Sequence, residues 1–126
     1  MSPRALAVRG ERLARLRLSA IVEPGDARVP RLLASHSAED LLESVRAGCL
    51  PGGEALPEAW RLRAADATLR AQEAADRARA ASMRWICPGD TEWPERLGDL
   101  DHGRPVNGVG GAPLGLWARG AQDLAE

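Results

Sequence analysis

The sequence predicts a mainly α fold with a small α/β part at its C-terminal end. Three observations carry this. Apolar residues recur at helical spacing through the first two thirds of the chain. After Met83 the period changes to short apolar runs bounded by Pro and Gly, which suits strands. At 126 residues there is room for one domain, or for a small domain plus part of another.

Residues 1–10 are expected to form a flexible N-terminus. From Glu11 onward Leu13, Leu16 and Ala20 recur at helical spacing, with Glu11 and Arg15 four apart as a surface pair. This helix should end before Glu23-Pro24-Gly25. Pro24-Gly25 makes a turn, and Asp26 is placed to cap a second helix through its free first-turn N–H groups. Pro30 falls early in that helix, where a missing N–H does little damage.

Ser37 to Asp40 has the spacing of a capping box ahead of Leu41, Leu42 and Val45, and Gly48 is the stop. Leu50-Pro51-Gly52-Gly53-Glu54 reads as a linker. Beyond it Trp60, Ala64, Ala67, Ala71, Ala74 and Ala78 line one face of a helix with mostly small side chains, which lets a neighbour approach closely. The opposite face reads Arg63, Asp66, Arg70, Glu73, Arg77. Asp66 and Thr68 are points at which a helix from Pro57 to Ser82 can break.

Arg84-Trp85-Ile86-Cys87 is a candidate buried strand, closed by Pro88-Gly89. A helical turn near Trp93 to Leu97, capped by Asp90 or Thr91, should follow. Asp101 to Pro113 is loop, and Leu114 to Arg119 a second strand.

All seventeen basic residues are Arg, and Phe and Tyr are absent, a bias that fits GC-rich coding better than selection for a function. Up to Trp85 there are fourteen Arg against eleven acids; from Ile86 onward there are three against seven. The front is mildly basic, without the concentrated patch that marks a phosphate binder. Two cysteines in separate segments, Cys49 and Cys87, read as reduced thiols and point to a cytoplasmic protein. Met1 to Gly10 is too short for a signal peptide, and no run approaches the roughly 18 apolar residues of a membrane span, so no membrane partner is expected.

Each chemical motif has a plainer reading. Gly108-Val109-Gly110 is followed by Pro113 where a dinucleotide fingerprint needs its third glycine, so it reads as loop. Cys49, Cys87, His36 and His102 have zinc-ligand chemistry without zinc spacing. Asp90, Glu92 and Glu95 read as helix-start electrostatics before they read as an acid/base pair. Ser19, Ser35, Ser37, Ser44 and Ser82 lack a nucleophile elbow. Arg63, Arg70, Arg77 and Arg84 repeat every seven residues and could track a phosphate backbone, but the interleaved Asp66 and Glu73 favour a solvated salt-bridge face. Trp60, Trp85, Trp93 and Trp117 read as core before base-stacking platforms. No catalytic, cofactor-binding or metal-binding residue is assigned, and no cofactor is expected.

Leu18-Ser19-Ala20 with Glu23-Pro24-Gly25-Asp26, then Cys87-Pro88-Gly89-Asp90 with Trp93-Pro94 and Leu97, then Leu116-Trp117-Ala118-Arg119-Gly120, stand in an order that resembles the DprA/Smf family of DNA-processing proteins. The resemblance runs from about Glu11 to Leu124. It implies a sterile-alpha-motif-like (SAM-like) or helix-hairpin-helix-like domain over 11–82 and the truncated start of an extended Rossmann-like domain over 83–126. It also implies single-stranded DNA handling and assistance to a RecA-type recombinase in natural transformation, as a non-enzyme. The family's Gly-x-Arg loop, which holds DNA phosphates, is expected past Glu126, and its homodimer interface is expected to fall outside this chain as well. No nucleic-acid-binding residue is therefore carried over, and the chain alone should bind DNA weakly or not at all. The stretch Val106 to Gly111 departs from the family as an insertion. The alternative reading is a helical protein–protein interaction module with no DNA binding of its own; an enzyme ranks last.

Overall fold

The computed structural model describes residues 2–106, 109–121 and 123–124. Five helices come first: α1 (Pro3–Ser19), α2 (Arg28–Leu33), α3 (Ala38–Ala47), α4 (Glu58–Ala64) and α5 (Ala67–Ala80). Strand β1 (Met83–Ile86), a 3-10 segment (Glu95–His102) and strand β2 (Leu116–Arg119) follow. The fold is mainly helical with one small antiparallel sheet. Among the described residues no helix is long and apolar enough to cross a membrane.

Helix α1 begins eight residues before Glu11. Residues 3–10, expected to be flexible, form its first two turns because Ser2 Oγ accepts the Ala5 N–H (3.1 Å) and Pro3 has its φ set for a helix start. Its buried face also differs from the expected stripe. Ala14, Leu16 and Leu18 turn inward while Leu13 is 44% exposed. Glu11 makes no surface pair with Arg15: its carboxylate reaches across to α3 and accepts the N–H groups of Ala38 (3.0 Å) and Glu39 (2.9 Å). Ser37 Oγ takes the Asp40 N–H (3.0 Å), so three first-turn donors of α3 are satisfied. At the other end Gly48 closes the helix at φ 94°, a left-handed conformation that glycine adopts without strain.

Asp26 lies just ahead of α2 and accepts the Arg28 N–H (2.9 Å), close to the capping role expected of it. Pro30 sits in the first turn. Residues 50–54 close a tight reversal, with Leu50 N–H on the Glu54 carbonyl, so the expected linker is a structured turn. The helix expected from Pro57 to Ser82 breaks at Ala65-Asp66. Trp60, Ala67, Ala71 and Ala78 of the predicted stripe are buried. Trp60, Leu18, Ile21, Leu41 and Val45 are the largest side chains sealed in the core formed by α1 to α4, and α5 lies against α1 on its alanine face.

Strands β1 and β2 pair antiparallel, with Met83 opposite Arg119 and Ile86 opposite Leu116. Rossmann-like sheets are built mainly of parallel neighbours, although an antiparallel edge pair is compatible with them. Ile86, Trp93 and Ala118 form a second, smaller core with Leu97 and Leu116. The helical turn expected at Trp93 to Leu97 is the 3-10 segment, which starts at Glu95 without a side-chain cap. The loop before β2 is anchored: Gly110 N–H bonds the Gly25 carbonyl (2.8 Å) and Ala112 N–H bonds Asp101 Oδ1 (2.8 Å).

Candidate functional site

The two motif-bearing segments meet on one face of α1. At the end of β1, Pro88 and Gly89 reverse the chain, and Asp90 Oδ2 accepts the Cys87 N–H (2.8 Å), closing the turn on itself. Arg12 forms an ion pair with that same Asp90 oxygen and donates Nη2 to the Trp85 carbonyl (2.7 Å). In return Trp85 Nε1 donates to the Arg12 carbonyl (3.3 Å). One turn further along α1, Arg15 Nη1 donates to the Leu114 carbonyl just ahead of β2 (2.8 Å). The Arg12–Asp90 side chains are only 33% and 25% exposed, so this pair is partly withdrawn from water and screening. At Gly115 the Trp85 indole lies so close that an added Cβ would collide with it.

These contacts hold Asp90 in the turn after β1 and not in the helix-capping role expected of it. Glu92 is likewise held, by a bidentate pair with Arg84 (2.7 and 2.6 Å), and Arg84 also donates to the Gly120 carbonyl. Arg84's hydrogen bonds hold the Glu92 carboxyl below its ordinary range. Glu95 is exposed in the first turn of the 3-10 segment.

Burial pushes the Cys87 thiol up to about 11, and the nearby Arg12 charge does not offset it. A thiol protonated at neutral pH is a poor nucleophile and a poor metal ligand. At pH 8 a thiol-reactive dye should therefore modify the half-buried Cys49 and leave Cys87 untouched until the protein is unfolded. Equal labelling rates in the folded protein would contradict this. His36 and His102 are exposed, and no metal-competent cluster of three His, Cys, Asp or Glu exists among the described residues. Of the Gly108-Val109-Gly110 candidate, Gly108 lies outside the described residues, and Gly110 is bonded to the 24–26 turn.

The heptad-spaced arginines do not form one track. Arg63 turns back to donate to the Ile21 carbonyl (3.0 Å) and reaches Glu23 (3.4 Å), Arg70 lies 3.9 Å from Asp66, and Arg84 belongs to β1. A second basic group, unpredicted, assembles around a cleft of about 700 Å³ between α2 and the 101–113 loop, where Arg15, Arg28, Arg31 and His102 line the wall. Arg28 is occupied there: it forks onto Asp26 (3.0 and 2.7 Å) and stacks 5.1 Å from the Trp60 ring centre. Its hydrogen bonds lower the Asp26 pKa.

Among the described residues of this arrangement no nucleophilic side chain is hydrogen-bonded to a basic one. Arg12 and Arg15 are the organising residues that sequence reasoning missed. Their spacing of three was legible, but their partners lie more than seventy residues away. No protein-family model matches this chain, and no curated protein or solved structure matches it.

Proposed function

We propose that this chain is the N-terminal scaffold of a cytoplasmic, DprA-like DNA-processing protein that handles single-stranded DNA and assists a RecA-type recombinase. On this reading, α1 to α5 are the SAM-like module and 83–126 the opening of the Rossmann-like domain, with β1–β2 as an antiparallel pair. The supporting observation is the Arg12 junction. The Cys87-to-Asp90 turn and the strand carrying Trp117-Ala118-Arg119 belong to the two more specific of the three sequence groups behind the resemblance, and they form one unit that α1 grips.

On this reading the family's phosphate-holding Gly-x-Arg follows a further strand, and residues 120–126 after β2 hold none. The isolated chain is expected to bind a labelled single-stranded oligonucleotide no more tightly than the roughly 10⁻⁴ to 10⁻⁶ M of non-specific contact, with affinity falling as salt rises. Coding sequence past Glu126 should add a further strand followed by Gly-x-Arg. Sub-micromolar binding abolished by replacing Arg63, Arg70 and Arg77 would overturn the salt-bridge reading of that row, and an immediate stop codon with no second open segment would count heavily against a DNA loader.

One observation favours the alternative, a helical interaction module: Leu6 and Leu13, seven apart on one face of α1, are 57% and 44% exposed. That reading predicts a protein partner for the chain and no measurable DNA affinity.

A further inference from the structure

The fold divides the four tryptophans. Trp60 and Trp93 are core residues, whereas Trp85 and Trp117 sit opposite each other in the β1–β2 register and stay half-buried. Their ring centres lie 4.9 Å apart with the planes at 51°. Both line a cavity of about 290 Å³ between the sheet and the turn that follows α1. From that turn come two carboxylates, Glu23 and Asp26. None of the seventeen arginines lines this cavity, in a chain otherwise dense with them; the remaining lining is Ser19 with prolines, glycines and aliphatic residues.

Such a wall selects by charge. An anion would meet two carboxylates, with no arginine in the wall itself, although Arg28 and Arg63 approach Asp26 and Glu23 from outside it. A strongly hydrogen-bonding neutral ligand would leave most of its groups unmatched. A cation wrapped in methyl groups, by contrast, is attracted by indole quadrupoles, loses little hydration on entering, and gains from nearby carboxylates. We propose that this cavity binds a small organic cation of the alkylammonium class, its head held against Trp85 and Trp117 and facing Glu23 and Asp26.

Neighbouring guanidiniums temper the field without filling the site. Arg28 forks onto both Asp26 oxygens, leaving that side chain 10% exposed and its charge largely offset, so Glu23, 64% exposed and reached by Arg63 only at 3.4 Å, is the carboxylate open to the ligand. The volume is at the small end for ligand pockets, about 300 Å³, which limits the ligand to side-chain size. A free quaternary amine and a trimethylated lysine side chain share this chemistry.

The test titrates the full chain with tetramethylammonium chloride at constant ionic strength, following tryptophan fluorescence. A saturable change in the millimolar range is expected, with tert-butyl alcohol, similar in shape and uncharged, binding roughly fivefold more weakly or not at all. Glu23→Gln should weaken tetramethylammonium binding by roughly fivefold, and Trp117→Leu should abolish it. Because Trp117 also pairs in the sheet, Glu23→Gln on the exposed rim, with folding checked by circular dichroism, keeps the proposal falsifiable. Parallel titrations with choline and a trimethyllysine peptide separate the two sources, the tighter one naming the ligand. Absence of saturable binding to the folded wild type, equal affinity for the neutral isostere, or an unchanged Glu23→Gln would each overturn the proposal.

Discussion

Trp60→Ala should destabilise the protein by about 3–5 kcal/mol, the range for deleting a large aromatic side chain from a packed core. Trp60 is 1% exposed and is the largest side chain sealed in the helical core. Its loss opens a cavity among helices whose other contributions are mainly Leu, Val and Ala, which have little reach to refill it. It also removes the ring on which Arg28 stacks. Against a typical total of about 5–15 kcal/mol, the change is a large fraction of stability. Urea denaturation followed by circular dichroism measures it, and a loss below about 1 kcal/mol would show that Trp60 is not the keystone of this core.

Arg12→Met should act differently, because it keeps the aliphatic stem and removes the charge. Asp90 would retain only the Cys87 N–H among its side-chain bonds, and the Trp85 carbonyl would lose its guanidinium donor. Stranding one member of a partly buried pair costs about 1–3 kcal/mol. The effect should also be local: backbone amides of Trp85, Ile86 and Ala118 should exchange faster while those of α3 keep their protection. Uniform acceleration throughout the chain would mean that the junction and the helical core open as one cooperative unit. Unchanged exchange at β1 and β2 would mean that Arg12 holds nothing there.

What the sequence disclosed and what it hid divide along chemical range. Local signals were legible: Ser37 and Gly48 bracket α3 as expected, the alanine face of α5 turns inward, and both strands appear within two residues of their expected bounds. Ser2-Pro3, a cap followed by a proline with a preset φ, also signalled the true start of α1, yet the sparse apolar content of residues 1–10 argued the other way. The helix break at Ala65-Asp66 was one of two local options, and packing of Trp60 and Ala67 into the same core decided between them.

The hidden part is tertiary. Glu11 leaves its own helix to cap α3, Arg63 turns from its expected ion-pair row to the Ile21 carbonyl just past α1, and Asp90 closes a turn instead of starting a helix. A carboxylate or guanidinium serves equally well at many short-range positions, so its type and local spacing leave the distant partner undetermined. The same holds for the tryptophans, whose division into core and cavity wall depends on strand register.

The account rests on α1 gripping the β1–β2 unit through Arg12 and Asp90. A double-mutant cycle of Arg12→Met and Asp90→Asn, read from urea denaturation of the four proteins, tests this most directly because asparagine keeps an acceptor for the Cys87 N–H. The account predicts a coupling energy of about 1–2 kcal/mol, the scale for a partly buried pair in direct contact. Additive single effects, with coupling near zero, would contradict it.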